Sequence, residues 1–222
     1  MEILSRIGVL LLAYLIGSIP SGLIIVKLFT GKDIRSVESG RTGGTNAMRA
    51  AGIWAGIATA ILDLCKGLGA VFFSHKLIPG NHIWLEVLAP FLAIIGHNYS
   101  VFLIERNENG WFRLRGGAGG ATCLGGSVGL WFPSLFIILP LAGLIYYFVG
   151  YASVTTLSVA LLSTLIFAYR AWLGLNPWQY AMYGLLSFFA LAWALRPNIN
   201  RLIQGEERVV GLRAKKEGMK DK

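Results

Sequence analysis

Long apolar stretches alternate with short polar segments along most of the chain. A helix that crosses a bilayer needs about 20 mainly apolar residues. The sequence predicts such helices at roughly 4–29, 50–75, 83–104, 117–131, 133–150, 151–170 and 176–196. The count is least defined in 117–170, where two or three helices fit. The pattern predicts an all-α polytopic membrane protein of about seven transmembrane helices, with 1–205 as one helical domain and 206–222 as a basic tail.

Composition agrees with this pattern. The chain has 222 residues, of which 55% are hydrophobic and 14% charged, and its mean hydropathy is +0.61. A water-soluble domain of this size would lack the polar residues needed to cover its surface. The first apolar run is longer than that of a signal peptide, so we expect a retained helix.

The basic residues predict the orientation. With seven helices, 16 of the 20 lysines and arginines fall on one side and three (Arg6, Lys76 and Arg170) on the other, while Lys66 lies inside a helix. Basic loops favour the cytoplasm, which predicts a plasma-membrane protein with its N-terminus outside and its C-terminus in the cytoplasm. The net charge of +9 then reflects the inner face. We expect no nucleic-acid partner, because no basic surface interleaved with aromatic residues lies outside the apolar segments.

Two loops on the predicted cytoplasmic side combine glycine with arginine. In 32–49, glycines allow close approach of the backbone to a ligand, short polar side chains offer hydrogen bonds, and Arg41 and Arg49 can bind phosphate. In 113–126, two arginines precede a glycine run that opens a helix, whose N-terminus favours an anion. The alternatives are a solvated connector for the first loop and close helix packing for the second, above all at Gly125, Gly126 and Gly129.

Ionisable residues also occur inside apolar segments. Asp63 and Lys66 are three residues apart, so they can pair on one helix face. We favour a structural ion pair over a catalytic role. For His97, a proton carrier and a packing hydrogen-bond donor both remain open. After the last apolar segment, which we expect to end at Pro197, the residues Asn198, Arg201 and Glu207 join the two loops on one membrane face.

These motifs, in this order, resemble those of the bacterial acyl-phosphate:glycerol-3-phosphate acyltransferases called PlsY. The matching stretches are Gly-Ser-Ile-Pro-x-Gly (17–22), Lys-Asp-Ile-Arg (32–35), Ser-Gly-x-x-Gly-x-Thr-Asn-x-x-Arg (39–49), Leu-Asp-x-x-Lys-Gly (62–67), Gly-His (96–97), Gly-Gly-x-Gly-x-Ala-Thr (116–122) and Asn-Ile-x-Arg-Leu-x-x-Gly-x-Glu (198–207). The resemblance implies a seven-helix enzyme that moves a fatty acyl group from acyl phosphate to glycerol 3-phosphate, giving lysophosphatidic acid and phosphate. It implies neither a metal nor a cofactor.

Carried over by position, the resemblance implies three catalytic residues, Ser39, Arg49 and Asn198. It implies a larger substrate-binding set, which we extend by two residues near the motifs, His97 and Arg115. The whole set is Gly40, Thr45, Asn46, His97, Arg115, Gly116, Gly117, Gly119, Gly120, Thr122 and Glu207.

Four departures from the family pattern stand out. Ala118 stands where the second motif has a lysine, and Leu195 where the third has a histidine. Tyr99-Ser100 replaces a proline, and the connection 105–113 is longer and more polar than usual. Arg113 or Arg115 could replace the missing lysine, and His97 could take over hydrogen bonding. A related enzyme with another donor or acceptor is therefore one alternative, and a transport or lipid-binding protein is another. Transport is disfavoured because no inverted repeat is visible and the polar motifs gather at one face.

Overall fold

The protein is described here by a computed structural model that covers residues 2–78, 80, 82–106 and 110–220. It is mainly helical. The helices are α1 (Glu2–Ser18), α2 (Ser21–Thr30), α3 (Gly44–Ala51), α4 (Ile53–Leu77), α5 (Ile83–Asn98), α6 (Gly120–Leu130), α7 (Ser134–Leu144), α8 (Ala152–Trp172), α9 (Gln179–Ile203) and α10 (Gly211–Lys220). A short 3-10 helix (Ile34–Ser36) follows α2, and a π-helical turn (Ile145–Val149) continues α7.

The expectation of a purely α-helical chain is wrong at one place. The predicted helix 83–104 ends at Asn98, and the chain continues as β1 (Ser100–Arg106), which pairs antiparallel with β2 (Phe112–Arg115). The run Val-Phe-Leu-Ile at 101–104 favours a strand by composition, and so short an apolar run does not distinguish strand from helix. Residues 107–109 of the polar connection lie outside the described residues.

Several helix boundaries differ from the predicted ones. The first apolar segment is interrupted at Ile19 and Pro20, and the second begins as α3, separated from α4 by Gly52. Gly52 has a positive φ of 87°, a conformation that glycine adopts at little cost. The last segment does not end at Pro197, since α9 continues through this proline to Ile203. A proline removes one backbone donor, and neighbouring groups in a membrane protein can compensate for that loss.

Among the residues that the structure describes, three stretches of helix are long and apolar enough to cross a membrane: Glu2–Thr30, Ile53–Leu77 and Ala152–Trp172. Two shorter apolar helices are Ile83–Asn98 and Ser134–Val149. Helix α6, with 11 residues, is only about 16 Å long, whereas the hydrocarbon core of a bilayer is about 30 Å thick. The count of seven spans and the orientation of the termini therefore stay predictions.

The packing of α4 holds the functional end of the molecule together. A Cβ atom at Gly125 of α6 would lie 1.9 Å from the Leu64 carbonyl oxygen of α4, which supports the packing interpretation of that glycine. The predicted pairing of Asp63 with Lys66 is confirmed, with 2.6 Å between Oδ1 and Nζ and both side chains buried. Lys66 also donates to the carbonyl oxygen of Ile19 at 2.6 Å, so that α4 is tied to the break after α1.

Candidate active site

Three segments that are distant in sequence surround one cavity of about 330 Å³, here called the main cavity. They are the loop after α2 with helix α3, the glycine run that opens α6, and the end of α9 with the following segment. Residues from α4, the end of α5, the π-helical turn and α8 complete its walls. The expected site residues that line it are Ser39, Thr45, Asn46, Arg49, His97, Gly119, Gly120, Asn198 and Glu207.

A second cavity of about 620 Å³, here called the arginine cavity, adjoins the first. Ser39, Arg41 and Asn198 line both cavities. Three more expected site residues, Gly40, Arg115 and Gly116, line only the arginine cavity. Its arginines are Arg41, Arg113, Arg115, Arg196 and Arg201. So many guanidinium groups around one space favour the binding of an anion.

Asn46 fixes the shape of the loop after α2. Its side chain is buried, and Nδ2 donates to the carbonyl oxygens of Val37 at 3.0 Å, Arg41 at 2.9 Å and Ile34 at 3.3 Å. The amide donors of Asn46 are thus used within the protein, which makes the residue a support for Ser39 and Arg41.

A charged cluster joins the same loop to the hairpin. Arg35 binds Asp33 with 2.6 Å between Nη2 and Oδ2, and it reaches Glu105 of β1 at 3.1 Å. The hydrogen bonds from Arg35 lower the pKa of the Asp33 carboxyl, against the opposing effect of its partial burial. Glu105 also forms an ion pair with Arg115, with 2.7 Å between Nε and Oε2. Arg115 therefore lies in the arginine cavity with a carboxylate beside it.

The glycine run is too closely packed for a side chain at Gly116, Gly117 and Gly119. The backbone N–H of Gly117 donates to the carbonyl oxygen of His97 at 2.9 Å, and Thr42 N–H donates to Gly116 at 3.3 Å. A Cβ atom at residue 117 would lie 1.9 Å from Nε2 of His97. Gly119 adopts a left-handed conformation, with φ at 80°, directly before α6 begins. These contacts bring the loop after α2, the end of α5 and the glycine run together.

The start of α6 faces the main cavity through Gly119, Gly120 and Ala121. Backbone N–H groups in the first turn of a helix have no partner within the helix, and they carry the positive end of its dipole. The expected anion-binding helix start is therefore positioned at the cavity. Thr122, by contrast, is buried and lines neither cavity; its carbonyl oxygen packs where a side chain of Gly67 would lie.

Arg41 lies on the wall shared by the two cavities. Its Nη1 donates to the carbonyl oxygen of Gly117 at 3.0 Å, and its Nη2 to that of Ala194 at 2.5 Å. Burial lowers the pKa of this guanidinium, and the nearby Arg201 and Arg113 act in the same direction, against the opposing effects of Tyr99 and Glu207. An arginine nevertheless stays protonated at neutral pH.

Acidic groups are also present at the site. Asn198 donates from Nδ2 to Oε1 of Glu207 at 2.8 Å, and Glu207 is buried. Asp63 lines the main cavity, with Oδ1 3.5 Å from Nδ1 of His97. His97, Asp63 and Lys66 thus form one buried chain of polar groups. Its geometry leaves both interpretations of His97 open.

The sequence motifs missed one whole side of the main cavity. Tyr146 of the π-helical turn, together with Ser153 and Thr156 of α8, lines it. These residues lie within long, mainly apolar stretches and belong to none of the motifs, so no local pattern distinguishes them. On the facing elements, the lining includes Ile53 and Ile57 of α4, which are 58% and 43% exposed. In a membrane protein such exposed apolar side chains face lipid, so this part of the cavity adjoins the bilayer.

The fold and the site together define a class. The molecule is a helical integral membrane protein, and its main cavity joins a cationic, donor-rich end to an apolar end beside lipid. Such a cavity suits a ligand with an anionic head and an apolar chain.

Comparison with known proteins identifies the family. Residues 7–205 match the family model described as glycerol-3-phosphate acyltransferase. Proteins of that name from Chlorobium phaeobacteroides and Rubrobacter xylanophilus are 32% and 33% identical to this chain; each alignment covers 92% of this chain, and 96% and 94% of the relative. The chain therefore belongs to the glycerol-3-phosphate acyltransferase family and is a membrane acyltransferase of phospholipid synthesis.

Solved structures agree with this assignment. The crystal structure of PlsY, an integral membrane glycerol 3-phosphate acyltransferase, in its glycerol 3-phosphate form has a TM-score of 0.74 at 28% identity, covering 93% of this chain and 96% of that one. The lysophosphatidic acid form of PlsY gives a TM-score of 0.73 at 27% identity. The family predicted from the motifs is confirmed.

Proposed function

We propose that this enzyme transfers a fatty acyl group from acyl phosphate to the 1-hydroxyl of glycerol 3-phosphate, giving lysophosphatidic acid and inorganic phosphate. One observation carries the proposal: the main cavity joins the start of α6, Ser39 and Arg49 at one end to apolar residues beside lipid at the other. An acyl phosphate has the same division into an anionic head and an apolar chain.

The two cavities suit two substrates. The acyl donor occupies the main cavity, with its chain between α4 and the start of α8. The smaller and more polar acceptor occupies the arginine cavity, which has five arginines and adjoins the main cavity at Ser39, Arg41 and Asn198. This arrangement brings the acceptor hydroxyl and the donor carbonyl together at the shared wall, and such alignment is itself a large part of catalysis.

The chemistry needs little beyond alignment and charge stabilisation. The hydroxyl oxygen forms a bond to the acyl carbon, and the bond from that carbon to the phosphate oxygen breaks with its electron pair on phosphate. The hydroxyl proton passes to a phosphate oxygen. Backbone N–H groups at the start of α6, with Ser39 and Arg49, hold the phosphate, while Asn198, fixed by Glu207, orients a substrate. Arg49 has room for this role, because its one described hydrogen bond is a long one of 3.5 Å to Val209.

The site faces the cytoplasm of the plasma membrane in this proposal. Arginines of the loop after α2, of the hairpin and of the segment from Arg196 to Arg208 surround the two cavities. Arg6 lies at the opposite end, where it contacts His82 at 3.2 Å. The more basic end of a membrane protein is normally cytoplasmic.

The test uses purified protein in detergent or lipid, given palmitoyl phosphate and glycerol 3-phosphate. Phosphate and lysophosphatidic acid should appear in equal amounts, and neither should form when one substrate is left out or when acyl-CoA replaces the donor. Absence of lysophosphatidic acid, under conditions in which a Chlorobium relative makes it, would reject the proposal.

A second candidate is the same reaction class with another acceptor or donor. Ala118 and Leu195 favour it, because both line the main cavity without a charged side chain. The same assay separates the two candidates. Phosphate release without lysophosphatidic acid identifies a different acceptor, which mass spectrometry of the acylated product would define.

A further inference from the structure

Arg41 occupies a singular position at the site. It lines both cavities, and its guanidinium holds the carbonyl oxygens of Gly117 and Ala194. One of these carbonyls belongs to the glycine run and the other to α9. The cation is therefore fixed at the junction where the proposed donor and acceptor meet.

Three of the six other arginines that line the two cavities have a carboxylate partner. Arg115 binds Glu105 at 2.7 Å, Arg208 binds Glu38 at 2.8 Å and Arg201 lies 3.5 Å from Glu207. Within the described ranges, no carboxylate forms an ion pair with Arg41. Its two hydrogen-bond partners are neutral carbonyls that orient the guanidinium, and the Glu207 carboxylate acts on its charge without forming an ion pair with it.

The guanidinium also has donors to spare. It carries five N–H groups, and two of them are used for the carbonyls of Gly117 and Ala194. Burial and the neighbouring Arg113 and Arg201 lower its pKa, so a bound anion would relieve both effects. A partly buried cation with free donors between two cavities is well suited to phosphate oxygens.

We infer that Arg41 contacts the phosphate groups of both substrates and holds them in register across the junction, an inference that rests on the proposed function. As the acyl carbon is transferred, the electron pair of the breaking bond moves onto the leaving phosphate. Arg41 stabilises that charge and keeps the acceptor phosphate in place. It is thus a catalytic residue that the motif match alone did not include.

The neighbouring residues explain why Arg41 supplies the cation at the junction of the two cavities. The carbonyls that Arg41 holds precede Ala118 and Leu195, which line the main cavity and supply no charge. Arg41 supplies the cation in that space. A lysine introduced at residue 118 would enter the same space from the glycine run, which provides a rescue test.

The experiment compares Arg41→Ala, Arg41→Gln and the double variant Arg41→Ala/Ala118→Lys with wild type. The loss of one preorganised donor to a reacting anion lowers kcat by about 100-fold, so we expect a loss of that order in both single variants. The Michaelis constants for both substrates should rise as well. The double variant should have a kcat at least about tenfold higher than that of Arg41→Ala, since the introduced lysine returns a charge-assisted contact.

The matched control is Arg106→Ala, which removes an exposed arginine of β1 that lines neither cavity. It should keep wild-type kinetics. Arg41→Gln retains donors for the two carbonyls without the charge, so it separates anion binding from support of the loop. Near wild-type rates in Arg41→Gln, or no rescue by the introduced lysine in a protein of wild-type thermal stability, would overturn the inference.

A binding measurement separates failure of this inference from failure of the proposed function. Inorganic phosphate should raise the melting temperature of wild-type and Arg106→Ala protein, and it should have no effect on Arg41→Gln. If the wild type makes no lysophosphatidic acid and yet shows this pattern, the proposed reaction fails and the anion site stands. If all three proteins respond equally to phosphate, the assignment of Arg41 is wrong whatever the reaction.

Discussion

The imidazole of His97 occupies the space that a side chain at residue 117 would need. This close approach fixes the path of the glycine run, and with it the start of α6 and the carbonyl that receives Arg41. The sequence predicted glycine here for contact with a ligand. The structure gives a second reason, because the glycine also accommodates a neighbouring side chain that lines the main cavity.

Replacing Gly117 by alanine tests this packing. The added methyl group must displace the His97 ring, because it would lie 1.9 Å from Nε2 and 2.7 Å from Cε1. Such overpacking costs about 1–3 kcal/mol, and we expect a lower melting temperature together with a strong loss of acyl transfer. The control is Gly8→Ala in α1, where a Cβ meets nothing within 4 Å. Equal activity of the two variants would show that His97 can move freely.

At the level of the helix, Asp63 and Lys66 of α4 have different roles. Lys66 joins α4 to Ile19, while Asp63 both neutralises Lys66 and faces His97 in the main cavity. Spacing alone predicted the pair, since residues three apart share a helix face. The spacing did not predict the hydrogen bond from Lys66 to Ile19, because Ile19 lies at the break between α1 and α2.

The buried pair predicts a specific pattern of stability. Lys66→Met leaves the Asp63 carboxylate without its cation, and removal of one partner of a buried pair costs about 3–5 kcal/mol. Adding Asp63→Asn to that variant removes the unpaired charge, so most of the loss should be recovered. Thermal unfolding in detergent measures both changes. If the double variant is no more stable than Lys66→Met, loss of charge compensation is not the cause.

We expect the apolar end of the main cavity to determine which acyl-chain lengths the enzyme accepts. Ile57→Trp narrows the lipid side of α4, so the Michaelis constant should rise by about tenfold for palmitoyl phosphate, equivalent to about 1.4 kcal/mol. It should change much less for octanoyl phosphate. Ile61→Trp is the control, because Ile61 is 55% exposed on the same helix and does not line the cavity. Equal effects on both donors would place the acyl chain elsewhere.

For the molecule as a whole, the proposed orientation requires all three site segments to face the cytoplasm. Single cysteines replacing Ser36, Arg113 and Gln204, in a chain whose Cys65 and Cys123 are changed to alanine, should resist an impermeant maleimide in intact cells. They should react after the cells are opened. Leu175→Cys, between α8 and α9, should react in intact cells. Labelling of the three positions from different sides would contradict the shared pocket.

The sequence by itself determined the membrane environment and the family, because hydropathy and ordered motifs are properties of the linear chain. It also predicted the Asp63–Lys66 pair, whose partners lie on one helix. Only the tertiary structure decided the breaks at Pro20 and Gly52, the hairpin after Asn98 and the length of α9, since those depend on packing partners. It alone placed Arg41 between two cavities and brought α8 to the site, because such contacts join residues that no local pattern connects.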